Sequence, residues 1–114
     1  MHAFYKSVRV VESKDDGYIL ALDFDFTNDS AEGKQFHNNF ANTWKAYQGG
    51  IELERNTGVT SEKGVYDTNN NDLRIKDGAT IDVERIWILR NLTDDVEIEF
   101  GYKNPPKALL ILEE

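Results

Sequence analysis

The segment from Tyr18 to Thr27 constrains the fold more than any other, because it alternates without a break. Leu20, Leu22, Phe24 and Phe26 fall on one phase and Asp23 and Asp25 on the other, the two-residue period of a strand with one face in a core and one in water. Phe4 to Glu12 is also strand-like, with Phe4, Val8 and Val10 on one phase, and it ends in the turn-forming run Ser13-Lys14-Asp15-Asp16-Gly17. Val96, Ile98, Phe100 and Tyr102 against Glu97 and Glu99 give a third alternating strand. Ala108 to Leu112 is an almost continuous apolar run suited to a buried one.

Two segments are less regular. Thr80 to Arg90 places Ile81, Val83, Trp87 and Leu89 on one phase, with Asp82, Glu84 and Arg90 on the other, and Arg85 breaks the pattern. Because Ile86 and Ile88 are also apolar, either a bulge near Glu84-Arg85 or burial on both faces is expected. In Phe36 to Gln48, Phe36, Phe40, Trp44 and Tyr47 fit a helical stripe, while Phe40, Trp44 and Ala46 fit one face of a strand. Gly49-Gly50 ends that element in either case, and Ile51 to Glu54 suits a hairpin partner. Arg55 to Asp72 reads as a long polar excursion and the most mobile region, and Asn104-Pro105-Pro106 as a turn.

Short strands between turn signals, with little helix, indicate an all-β sandwich or barrel. The length of 114 residues fits one domain, 1–114, with a single core burying roughly two-thirds of the surface the unfolded chain exposes. A net charge of -8 repels phosphate backbones and argues against nucleic-acid binding. No apolar run reaches the roughly 20 residues of a membrane span. Met1 to Tyr5 lacks the regions of a secretory leader.

The residues Asp23-Phe24-Asp25-Phe26-Thr27-Asn28, Ala46-Tyr47-Gln48-Gly49-Gly50-Ile51-Glu52-Leu53-Glu54 and Leu73-Arg74-Ile75-Lys76-Asp77-Gly78-Ala79-Thr80 resemble a known family. It is the immunoglobulin-like domain of unknown function found in secreted proteins and lipoproteins of Gram-positive bacteria, akin to the mycobacterial immunoprotective extracellular antigen. Trp87-Ile88-Leu89 and Val96-Glu97-Ile98 complete the family's order of motifs, so the similarity runs from Tyr18 to Phe100. The resemblance implies an immunoglobulin-like antiparallel β-sandwich of about seven strands, makes Thr43 to Gln48 a strand, and implies an extracellular or cell-surface location. Asp77 stands where such domains usually carry Pro, a change of turn chemistry. The family's lipoprotein leader is missing, and a native start at Met1 would instead imply a cytoplasmic protein.

The chemistry-bearing residues are few. Asp23 and Asp25 could form a carboxylate pair for acid and base work or for a cation, although alternating acids opposite Leu22, Phe24 and Phe26 are what a solvated sheet face carries. Asp67 to Asp72 places oxygen ligands as the start of a calcium loop does, but Asp72 replaces the turn glycine and Gly78 the final bidentate Glu. His2 and His37 cannot make a three-His zinc site, and His37 is expected in an exposed loop. The chain has no cysteine, no nucleophile elbow, no phosphate loop and no dinucleotide fingerprint. No cofactor is expected, and the protein is not expected to be an enzyme.

Trp44, Tyr47 and Trp87 are expected in the core. Ile86 and Ile88, if half exposed, would form an apolar patch for a partner or for self-association through a sheet edge. The leading expectation is a non-catalytic extracytoplasmic binding module with a protein partner. The alternative is an intracellular acidic inhibitor of a basic protein, of the kind a phage could encode. A hydrolase built on Asp23 and Asp25 ranks last.

Overall fold

The alternating segment becomes the middle strand of a three-stranded sheet. The computed structural model describes residues 1–13, 17–55, 68–101 and 106–111. Among these residues the strands are β1 (His2–Ser13), β2 (Gly17–Thr27), β3 (Lys34–Gln35), β4 (Lys45–Gln48), β5 (Ile51–Glu52), β6 (Arg74–Ile75), β7 (Thr80–Ile88), β8 (Val96–Glu99) and β9 (Lys107–Leu110). They form sheets in the order β1-β2-β7 and β5-β4-β8-β9, with β3 and β6 as a short extra pair. All pairings are antiparallel. The protein is therefore an all-β antiparallel sandwich.

The core lies between the two large sheets. Leu20, Leu22, Phe24 and Phe26 of β2, with Val83 and Trp87 of β7, meet Ala46, Val96 and Ile98 of the second sheet. Phe36 and Trp44 bridge the layers through edge-on ring contacts, Phe24–Trp44 at 5.2 Å, Phe26–Phe36 at 5.4 Å and Phe36–Trp44 at 5.6 Å between centroids. Such geometry sets the positive ring edge against the negative face. The ambiguous segment resolves into both of its readings in turn. His37–Ala41 makes one π-helical turn that lays Phe40 and Ala41 over the core, and Lys45–Gln48 is the strand. Gly49 and Gly50 then connect β4 to β5 at φ of 58° and 77°, the left-handed pair that a two-residue hairpin turn requires.

One alternative is decided and two expectations change. β7 pairs with β2 in unbroken register from Thr80 to Ile88, so it carries no bulge. It is buried on both faces instead, because Ile86 packs with Ile19, Ala21 and the partly buried Val11 in a small second cluster behind the sheet. The register irregularity lies in β1, between Tyr5 and Ser7. It shifts Phe4 away from the phase of Val8 and Val10, leaving Phe4 72% exposed. Finally, β9 is an edge strand whose Leu109 is 63% exposed, not a buried one. The turns expected at 14–16 and 104–105, and 56–67 of the polar excursion, lie outside the described residues. No helix among the described residues is long and apolar enough to cross a membrane.

Candidate functional site

Three arrangements carry chemistry. The first is on the outer face of the β1-β2-β7 sheet. Register sets Asp25 opposite Asp82 and Asp23 opposite Glu84, so four acids share one small area. Lys6, the residue displaced at the β1 irregularity, reaches across them. Its Nζ lies 2.9 Å from Asp82, 3.1 Å from Asp25 and 3.7 Å from Asp23. Arg9 contacts both Glu84 carboxylate oxygens, at 3.1 and 3.0 Å.

Burial, together with the neighbouring Asp82, pushes the Asp23 carboxyl up to about 6. Asp82 is held below its ordinary value, first by the hydrogen bond with Asp23 and also by Lys6. One proton therefore resides on Asp23 at mildly acidic pH and is donated toward Asp82. Hydrogen bonds to Asp82 and Asp25 raise Lys6. Asp23 and Asp25 thus come together, but with a lysine among them. Among the described residues no group of three His, Cys, Asp or Glu is placed to hold a metal ion.

The loop singled out for calcium spacing does other work. Asp67 lies outside the described residues, and Asn69–Asp72 forms a 3-10 turn against β7. The Asn70 amide donates to the Asp82 carbonyl at 2.8 Å and the Asn71 amide to the Glu84 carbonyl at 2.7 Å. These bonds cap the outer edge of β7 with side chains. Ile86, at 2% exposure, offers no open patch, and Ile88 is half-buried.

The second arrangement centres on Arg85, which points into the sandwich and is only 4% exposed. Its guanidinium lies 2.8 Å from His37 Nδ1 and donates to the Ala41 carbonyl at 2.7 Å. Its Nε–H is buried without an acceptor. Burial, reinforced by the charge of Arg55, pushes Arg85 down to about 9. His37 is lowered too, by burial and then by Arg85 and Arg55, and so stays a neutral acceptor at pH 7. His37 is half-buried in the helical turn rather than exposed in a loop. Sequence reading missed this site, yet its signal was the arginine on the apolar phase of Ile81, Val83, Trp87 and Leu89.

The third is the free edge of β1. Tyr5, Val8 and Val10 share the core-facing side with Phe24, Leu22 and Leu20, yet the core leaves them exposed, Val8 at 40% and Val10 at 43%. Tyr18 at the start of β2 extends the strip. No other strand among the described residues pairs with the outer side of β1.

The model of DUF5067, a domain of unknown function, matches residues 1–101. The chain belongs to the DUF5067 family. No curated protein is significantly similar to it. Among solved structures, this DUF5067 domain is similar to one described as a "putative lipoprotein" from Staphylococcus aureus subsp. aureus NCTC 8325. The TM-score is 0.74 at 16% identity, covering 96% of this chain and 82% of the other. At that identity the likeness speaks for the fold.

Proposed function

We propose that this DUF5067 domain is a non-catalytic, extracytoplasmic interaction module of immunoglobulin-like type that docks an extended strand of a partner protein along β1. The observation that carries this reading is the free edge itself. It is a twelve-residue strand at the outside of its sheet among the described residues, and its core-side row of Tyr5, Val8 and Val10 is left exposed. A partner strand added there would gain main-chain hydrogen bonds from the edge and apolar contact from that row, the logic of β-augmentation. Lys6 and Arg9, tied to acids on the opposite face, blunt indiscriminate pairing as edge charges do. The structural likeness to a protein described as a "putative lipoprotein" supports the extracytoplasmic placement.

The test is affinity capture from surface-protein and cytosolic extracts with the wild-type domain and with a Val8→Lys/Val10→Lys variant. A surface protein retained by wild type and lost by the variant supports the reading. A basic cytosolic protein released by moderate salt would instead support an intracellular acidic inhibitor. Turnover of a metabolite pool, abolished by Asp23→Asn with the fold intact, would remove the non-catalytic assignment.

A further inference from the structure

A guanidinium inside a sandwich core needs compensation, because desolvating an ion costs several kcal/mol unless a counter-charge and hydrogen bonds replace water. Around Arg85 that compensation is incomplete. Among the described residues neither Arg85 nor Arg55 forms an ion pair with a carboxylate. Arg55 spends its own head on the Asn42 carbonyl at 2.9 Å, one residue beyond the Ala41 carbonyl that Arg85 uses. Both arginines thus converge on the end of the same helical turn. Asp72 acts on Arg85 and His37 only through space. Of five guanidinium N–H groups, Arg85 commits one to Ala41 and one to His37, and its Nε–H is an orphan in the interior.

We propose that Arg85, Arg55 and His37 form a binding site for a single carboxylate group. Among the described residues, two guanidinium charges less the one of Asp72 leave one positive charge, which a monoanion neutralises and a phosphate dianion exceeds. The uncommitted Nε–H and the remaining N–H groups are the planar donors that pair side-on with a carboxylate. Among the described residues neither a glycine-rich loop nor a long helix start is present at the site to cradle a phosphate. Access is short. His37 and Arg55, which flank the guanidinium from the helical turn and from the Arg55–Trp87 bridge after β5, are both partly exposed.

The site is independent of the β1 edge, and its test does not involve that edge. In 15N-labelled protein at pH 7 and constant ionic strength, acetate replacing chloride is expected to shift the Arg85 Nε–H resonance and the amides of His37, Ala41 and Arg55. The shifts should follow one saturable curve, with no matching response to phosphate. Arg85→Met should abolish the curve. Should that variant not fold, Arg55→Gln leaves Arg85 in place and is expected to weaken acetate binding at least threefold. A short peptide bearing one glutamate separates the two sources: tighter binding than acetate points to a protein carboxylate, equal binding to a free small acid. A linear response identical for acetate and chloride overturns the proposal. So does phosphate binding as tight as acetate, or acetate affinity unchanged in Arg55→Gln.

Discussion

The side-chain amide of Asn28 donates to the Ile75 carbonyl at 2.9 Å, joining the end of β2 to β6 across 47 residues. The same nitrogen donates to the Glu32 carbonyl at 2.7 Å, and Oδ1 accepts the Ser30 N–H at 2.9 Å. The main chain of Asn28 is equally occupied, donating to Ala79 and accepting from Gly78. The residue is fully buried. Asn28→Ala therefore removes three bonds and leaves the part-buried Glu32 and Ile75 carbonyls without this donor, and should lower stability by about 2–4 kcal/mol. Urea unfolding measures this, and a loss under about 1 kcal/mol would show that water replaces the amide.

Gln48 plays the matching part at the other end of the sandwich. Its amide nitrogen donates to the Asn91 and Asp94 carbonyls, each at 3.0 Å, and its oxygen accepts the Arg90 N–H at 2.8 Å. It thereby holds the connection from β7 to β8. Gln48→Leu keeps the volume and deletes these bonds together with the longer one from the Asn91 N–H at 3.4 Å, so a loss of about 2–3 kcal/mol is expected. Amide exchange should accelerate from Arg90 to Asp94 before it does in β2. Uniform acceleration across the domain would instead mean that the connection has no independent opening.

These two residues explain which parts of the chain were legible. Asn28 and Gln48 sit in the motifs that carry the family resemblance, and both are interior hydrogen-bond hubs, so what those motifs encode is the fold. The phase of β2 was readable because one face is wholly apolar, and the β4–β5 hairpin because Gly49-Gly50 permits one kind of turn. The face of Phe4 was not readable. The shift at Lys6 is set by its reach to three aspartates on neighbouring strands, none local in sequence. β9 looked buried because composition does not tell an edge from a centre. Arg85 stood out only as a break in alternation, since the groups that receive it, His37 and Ala41, lie 48 and 44 residues away.

Phe36 tests the packing between layers. It is fully buried and in ring contact with Phe24, Phe26, Phe40 and Trp44. Phe36→Ala should cost about 3–5 kcal/mol, the range for deleting a buried aromatic ring, and should collapse the near-ultraviolet dichroism of Trp44. Retention of that signal with a loss below about 1.5 kcal/mol would mean that the helical turn sinks to fill the void.

The edge strand makes the opposite prediction. Val8 and Val10 are exposed, so Val8→Lys/Val10→Lys should change unfolding free energy by no more than about 0.5 kcal/mol per site. Partner capture through β1 should fall all the same. A larger destabilisation would show that the row belongs to the core after all, and would detach the variant from the docking reading.

Two groups set opposing pH slopes, and their signs can be separated. The Asp23 carboxyl is raised in the fold to about 6 from an ordinary value of 3.8. The native state therefore holds a proton that the unfolded chain releases, and this contribution is complete below pH 3.8 and lost as pH rises through about 6. His37 is lowered from 6.5. Its contribution is complete above 6.5 and lost as pH falls through its native value. The two cancel in part across mildly acidic pH, so wild-type stability should vary little there. Asp23→Asn removes the first slope, and the remaining curve should fall as pH drops below 6.5. His37→Gln removes the second, and stability should then fall as pH rises from 4 toward 6. Urea midpoints at half-unit steps of pH check both, and variants whose profiles superimpose on wild type would show that neither proton is held as the geometry of Asp23–Asp82 and His37–Arg85 requires.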